Sequence, residues 1–206
     1  MATIYDFITS KLGPNDTFFD VGANKGDVSK AALAKCGTVV AVEANPEHLK
    51  TLREIPNLLV VGSAASDKPG TVPFYLDTRK DMQGLASSLM VIQSLHKSGD
   101  AKELMVTADT IDNIVAKIGV VPTVIKVDTE GHEPAVVAGA TKTISKHRPT
   151  LILEMWETHF PRYRPMLEML SKTYTLTKLS DGQDAMAFYL AGHNPQGVED
   201  IVATPR

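Results

Sequence analysis

Thr17–Val21 is a short run of β-forming side chains that enters a loop with two glycines, Gly22 and Gly26, and then an alanine-rich stretch, Val28–Cys36, long enough for a helix. A strand that empties through glycines into a helix restricts what the chain can become. It hides its apolar surface when further strands line up beside the first and helices cover them, which makes the sheet parallel. The unit recurs: Thr38–Val42 predicts a second strand, Asn45 and Pro46 a helix cap and first turn, and Leu58–Val61 a third strand.

The rhythm breaks between Ser66 and Leu104. Lys68-Pro69-Gly70 reads as a turn, Thr71–Leu76 as an extra strand, and Asp81–Asp100 as a polar excursion of the kind that carries substrate contacts. Order returns with a helix over Thr110–Ile118, a strand Thr123–Val127, a helix Pro134–Ser145 and a strand Thr150–Met155. Arg162–Ser171 is helical in pattern. Tyr174–Lys178 and Ala185–Leu190 read as two antiparallel strands about the turn at Ser180-Asp181-Gly182, which brings the strand count to seven. A short amphipathic helix opens the chain (Ile4, Tyr5, Phe7, Ile8, Leu12), and Gly192–Arg206 reads as a surface wrap or mobile tail. The expectation is an α/β fold, one domain over residues 1–206, with an insertion at about 66–104.

Charge excludes some partners. A net charge of -3 and a pI near 6.1 give no footprint for a nucleic acid, although Arg148, Arg162 and Arg164 can form a local basic patch. No apolar stretch reaches the roughly 18 residues of a membrane span, and no leader pattern precedes Thr17. The single cysteine, Cys36, has no internal partner, which suits a reducing cytoplasm.

The glycine loop is Gly22-x-x-x-Gly26, with Ala23 and Asn24 between. Asn24 stands where a dinucleotide fingerprint places its middle glycine, which counts against NAD. Glu43 ends the second strand, followed by Ala44, and an acid there can accept both hydroxyls of a ribose. Asp20, at the tip of the first strand, would repel a pyrophosphate but suits the ammonium and sulfonium of S-adenosylmethionine. Ser63 and Ala64 end the third strand in small residues that let an adenine lie against backbone. The competing reading is that these glycines and acids only make turns and helix caps.

A second concentration of chemistry is Ile125-Lys-Val-Asp-Thr-Glu-Gly-His-Glu133. Methyl transfer needs an acceptor held in line and a base for its proton, and Asp128 and His132 are the candidates. His132 is preferred as base because its ordinary pKa is near neutrality; Asp128 then holds the amino group of S-adenosylmethionine or orients His132 or the acceptor. Glu154, beside Met155 and Trp156, either joins this cluster, with Trp156 excluding water, or is a structural acid paired with Arg148 or Lys126. Lys126, within an apolar strand, calls for a carboxylate partner. Asp128, Glu130, His132, Glu133 and Glu154 can alternatively hold magnesium, but their spacing matches no established metal motif, and no metal is expected.

Several motifs in order carry a resemblance: Asp20-Val-Gly-Ala-Asn-Lys-Gly26, Val42-Glu-Ala-Asn-Pro46, Ala64-Ala-Ser-Asp67, Ala86-Ser-Ser-Leu89, Thr107-Ala-Asp-Thr-Ile-Asp112 and Lys126 to Glu133. From about Thr17 to Glu154 the chain resembles the FkbM-type methyltransferase family. The resemblance implies a Rossmann-like class I methyltransferase fold, with a seven-stranded, mostly parallel sheet, a reversed last strand and helices on both faces. It also implies S-adenosylmethionine as donor and O-methylation of sugars, lipids or secondary metabolites. By position, Asp20, Gly22, Asn24 and Gly26 resemble the family's cofactor loop, Glu43 its ribose ligand, Ala64 its adenine-side residue and Asp128 its fourth-strand acid. His132 and Glu133 fall in its DxEGxE signature. Ser87, Ser88 and Asp109 match recurrent positions, and Asp109 is kept as a cofactor residue. The acceptor is then expected to be read by the insertion and the C-terminal segment. Two other functions stay in view: a non-catalytic nucleoside-binding module, which has no use for Asp128 and His132, and an NAD-dependent oxidoreductase, which wants glycine in place of Asn24.

Overall fold

The computed structural model describes residues 2–79, 89, 101–191 and 197–206. Helix α1 (Ile4–Lys11) leads to β1 (Thr17–Val21), α2 (Asp27–Leu33), β2 (Thr38–Glu43), α3 (Pro46–Arg53) and β3 (Leu59–Gly62). Asn45 caps α3 by accepting the Glu47 N–H, and Pro46 fills its first turn, where a missing N–H costs nothing. Next come β4 (Ala64–Ala65), β5 (Gly70–Asp77), β6 (Ala101–Asp109), α4 (Ile111–Ile118) and β7 (Val124–Val127). Helices α5 (Glu133–Ala138) and α6 (Thr141–His147), strand β8 (Thr150–Trp156), helix α7 (Phe160–Leu170), β9 (Tyr174–Lys178), α8 (Ala185–Leu190) and β10 (Val198–Pro205) complete the chain.

Seven strands form the main sheet in the order β3-β2-β1-β7-β8-β10-β9. Every neighbouring pair is parallel except those of β10, which runs antiparallel to both β8 and β9. Strand alternation sorts the core. Phe19, Val21, Ile125 and Val127 pack with Ile111 and Ile114 of α4, Val136 of α5 and Tyr163 of α7. Phe18, Val39, Val124 and Ile152 face the other way, onto Ile8 of α1 and Ala32 of α2.

Three expectations are corrected. Ala185–Leu190 is a helix: Asp184 caps it by accepting the Ala187 N–H, and Ala185 and Tyr189, one turn apart, are both buried. The seventh strand is instead β10, in the segment read as a tail; Gly192–Gln196, also part of that reading, lies outside the described residues. The single helix expected over Pro134–Ser145 is broken at Gly139 and Ala140. There α5 runs against the Ser66 backbone so closely that a Cβ on Gly139 would overlap the Ser66 carbonyl. Within the insertion, β6 was not foreseen; it pairs with β5 and β4 to make a second, three-stranded sheet whose inner face carries Phe74, Val106 and Ala108. Of the Asp81–Asp100 excursion only Leu89 is described, so Ser87 and Ser88 lie outside the described residues. Among the described residues no helix is long and apolar enough to cross a membrane.

Candidate functional site

A cavity of about 280 Å³ opens where β1, β2 and β7 end. Its position follows from the topology: between β1 and β7 the strand order reverses direction, leaving a crevice at the carboxyl edge of the sheet.

One side is built by the glycine loop and the ends of β2 and β3. Gly22 leaves β1 with φ 79° and donates its N–H to the Val42 carbonyl at 2.9 Å. Asn24 follows at φ 51°, and its N–H meets Glu43 Oε2 at 2.7 Å. Glu43 Oε1 accepts from the backbone N–H groups of Ala44 (2.8 Å) and Asn45 (2.7 Å). This carboxylate therefore ties two loops together while facing the cavity, and the lone pair left on Oε2 can accept a hydroxyl. Burial raises its pKa, against the three N–H bonds that lower it. Gly22, Asn24, Ala44, Ser63 and Ala64 line the same side, as the sequence suggests.

The other side holds Asp128, Thr129, Glu130, His132 and Glu154. Glu133 points inward. It is fully buried, and Oε1 accepts from the Thr129 N–H (2.7 Å), the Thr129 hydroxyl (3.1 Å) and the Gly131 N–H (3.1 Å), while Oε2 accepts from Tyr163 (3.0 Å). Within the loop so clamped, Glu130 takes the left-handed conformation, φ 55°. His132 Nε2 lies 3.0 Å from Ser66 Oγ, and Ser66 directs its hydroxyl proton to Asp67 Oδ1 at 3.2 Å. With that proton on Asp67, Ser66 can accept from Nε2–H, the tautomer that puts the lone pair of His132 on Nδ1. Burial, and next Arg162, lower the His132 pKa against Asp67, which raises it; the imidazole is neutral at pH 7.

Lys126 finds the carboxylate partners it requires, with Nζ 3.0 Å from Asp128 Oδ2 and 3.4 Å from Asp20 Oδ1. Burial opposes its charge, but Asp128 and Asp20 outweigh it and hold the ammonium above the ordinary lysine value. Glu154 pairs with neither Arg148, which binds the Thr173 and Arg206 carbonyls, nor Lys126, and its Oε2 is buried with no hydrogen bond. Asp200 of β10 stands opposite it in register, and burial pushes that acid up to about 6. Asp128, Glu130 and Glu154 are, among the described residues, the one set whose ligand oxygens all lie within 4.8 Å of one another, an arrangement that can share protons or take a hard cation.

Burial, then Asp128 and Glu133, push Glu130 up to about 8; burial, then Asp128 and Glu130, push Glu154 up to about 9. Between an ordinary carboxylate value near 4.5 and these values the folded chain holds protons that the unfolded chain has released. Stability from this pair is therefore complete at low pH and is lost as pH rises toward about 9. The melting temperature is expected to fall between about pH 5 and 9, and Glu154→Gln to flatten that slope and melt above the parent at pH 9. An unchanged slope in the variant refutes the assignment.

Four expected cofactor residues are not on the cavity wall. Asp20 is fully buried beneath it, accepting from the Ser29 hydroxyl at 2.6 Å, because alternation turns it toward α2. Ala23 packs with Ala41 and Leu52, and Gly26 begins α2. Asp109 is spent on the start of α4: it accepts from the Thr110 N–H (2.9 Å) and Asn113 Nδ2 (2.8 Å) and pairs with Lys117. Trp156 does not reach the cavity either; it stacks on His159. Sequence reasoning missed His48, Ala65, Phe74, Leu89 and Thr129, all of which line the cavity. His48 had a signal, one turn along the helix that follows Glu43; Phe74 had none, since its inward face depends on pairing with β6.

Residues 20–178 match the family model for the methyltransferase FkbM domain. No curated protein matches the chain. Among solved structures, the methyltransferase FkbM of Methylobacillus flagellatus KT superposes with a TM-score of 0.60 at 17% identity, over 94% of this chain and 44% of that one. This chain thus spans less than half the length of that protein. An rRNA methylase from Streptococcus thermophilus gives 0.54 at 8% identity, over 98% and 93%. The precorrin-6y C5,15-methyltransferase of Geobacter metallireducens GS-15 gives 0.52 at 12%, over 98% and 86%. At these identities the likeness is one of fold.

Proposed function

Because the chain belongs to the FkbM methyltransferase domain family, we propose that it is an S-adenosylmethionine-dependent enzyme that methylates a hydroxyl oxygen of a small molecule such as a sugar, lipid or secondary metabolite. One observation carries the cofactor reading. The described lining of the cavity has four carboxylates, Glu43, Asp128, Glu130 and Glu154, and neither lysine nor arginine. Even with Glu130 and Glu154 protonated at neutral pH, such a wall offers carboxyl oxygens to a sulfonium and an ammonium and gives a pyrophosphate no cationic partner.

When bound, S-adenosylmethionine supplies an activated methyl group on a positively charged sulfur. Glu43 would hold the ribose, with Ser63 and Ala64 beside the adenine, and Asp128 would face the amino-acid end. His132 takes the acceptor proton on Nδ1, the nitrogen left free by the Ser66 contact. Glu154, pushed up to about 9 chiefly by burial, would stay protonated at neutral pH and donate rather than repel at the acceptor end. A cytoplasmic setting is part of the proposal, supported by the single cysteine, Cys36, which has no internal disulfide partner.

Calorimetric titration with S-adenosylmethionine, S-adenosylhomocysteine and NAD, with and without magnesium, tests the cofactor, and labelled methyl transfer to hydroxylated acceptors tests the reaction. The adenosyl ligands are expected to bind and NAD to fail. His132→Ala is expected to keep cofactor affinity within about twofold while losing roughly 10²–10⁴ in rate. Glu43→Gln is expected to weaken cofactor binding by about 1.5–3 kcal/mol. Binding of NAD alone defeats the cofactor reading, and full turnover by His132→Ala defeats the assignment of His132 as base.

A further inference from the structure

Lys126 stands in β7 among Val124, Ile125 and Val127, and is 6% exposed. It lies in register with Asp20 of β1, so its ammonium falls between a carboxylate beneath the cavity and one on its wall: 3.4 Å from Asp20 Oδ1 and 3.0 Å from Asp128 Oδ2. Asp20 is itself held, because its other oxygen accepts from Ser29 of α2 at 2.6 Å. The result is a relay from a helix, through two adjacent strands, to the acid that directly follows β7 and faces the cavity. A carboxylate tied at one oxygen loses its freedom to swing, and its remaining lone pairs keep one direction.

We propose that Lys126 is a positioning residue for the cofactor: backed by Asp20, it aims the Asp128 carboxylate at the ammonium of the amino-acid end. This role rests on the cofactor reading above. Lys126 touches neither ligand nor reacting atoms and acts only through Asp128. An aliphatic residue at this place would fill the strand equally well but would leave Asp128 to be drawn toward Glu154, its other side-chain contact, and Asp20 buried without its cation.

The test separates the two ends of the ligand. S-adenosylhomocysteine has the amino-acid end, and 5′-methylthioadenosine has the nucleoside and thioether without it. In Lys126→Met, affinity for S-adenosylhomocysteine is expected to fall about tenfold or more, while that for 5′-methylthioadenosine stays within about twofold. Lys126→Arg, which keeps the charge, is expected to recover most of the loss. Since Lys126→Met strands Asp20, Lys126→Met/Asp20→Asn is measured beside it; this double variant removes both charges and is expected to fold and show the same selective loss. Equal losses for both ligands, or none, overturn the positioning role alone. A parent protein that binds neither ligand overturns the cofactor reading and this role with it.

Discussion

Gly22→Val is expected to abolish binding of S-adenosylhomocysteine and to lower the melting temperature by roughly 6–15 °C. The backbone is at φ 79°, a region that β-branched residues avoid, and an added Cβ would overlap the carbonyl oxygen of Asp128. That carbonyl cannot retreat freely, because its peptide plane is held at the other end by the Thr129 N–H bond to Glu133 Oε1 at 2.7 Å, and Asp128 itself is tied to β1 through its N–H bond to the Val21 carbonyl at 3.0 Å. Either the strands part or the glycine loop lifts from the sheet, and both open the cavity floor; a cost of roughly 3–5 kcal/mol follows. Gly119→Val is the control. It has a similar φ of 69° at the end of α4 but nothing within 4 Å of its Cβ, so it carries the conformational cost of about 1–2 kcal/mol alone. If both variants melt alike, close approach of the loop to Asp128 is not what requires a glycine at Gly22.

Glu133→Ala is expected to be the most damaging removal of a side chain that touches no ligand. Its carboxylate satisfies two backbone donors and two hydroxyls, and it holds Glu130 in the left-handed conformation that places it on the wall. Alanine leaves those donors in a fully buried site, at a cost of about 3–5 kcal/mol, or roughly 6–15 °C in melting temperature for a chain of this size. Glu133→Gln retains an acceptor for the three bonds from Thr129 and Gly131 and is expected to lose less than half as much. Amide exchange at Thr129 and Gly131 reads the clamp directly. A Glu133→Ala protein that melts within about 2 °C of the parent would show that the loop is held by something else.

Glu133 also shows how far a motif can be read before the fold is known. Its place in the cluster from Asp128 to Glu133 marks the segment as special, yet spacing does not say which acids face a ligand. The structure divides them: Asp128 and Glu130 toward the cavity, Glu133 toward Tyr163. Asp20 and Asp109 carry the same lesson. Both are strand-end acids beside glycine or a helix start, as Glu43 is, but only Glu43 lines the cavity. Asp20 is turned to α2 by alternation, and Asp109 is consumed as a helix brace.

What the sequence determined by itself is the part governed by neighbours in the chain. The β1, glycine loop and α2 unit, the cap at Asn45, the proline start of α3 and the succession of strands and helices up to β8, the second sheet aside, follow from local propensity and from the period of apolar side chains. Tertiary structure decided what depends on partners far along the chain. Ala185–Leu190, a six-residue apolar run, suits strand or helix until its Tyr189 side packs and Val198–Pro205 takes the space between β8 and β9. The second sheet exists because β6 returns to β5, and that return puts Phe74 on the cavity. The Asp20, Lys126 and Asp128 relay needs β1 and β7 side by side in one register. Burial and pairing set the charge of each acid, and both arise only when distant strands meet, because desolvation and Coulomb attraction act through space and not along the chain.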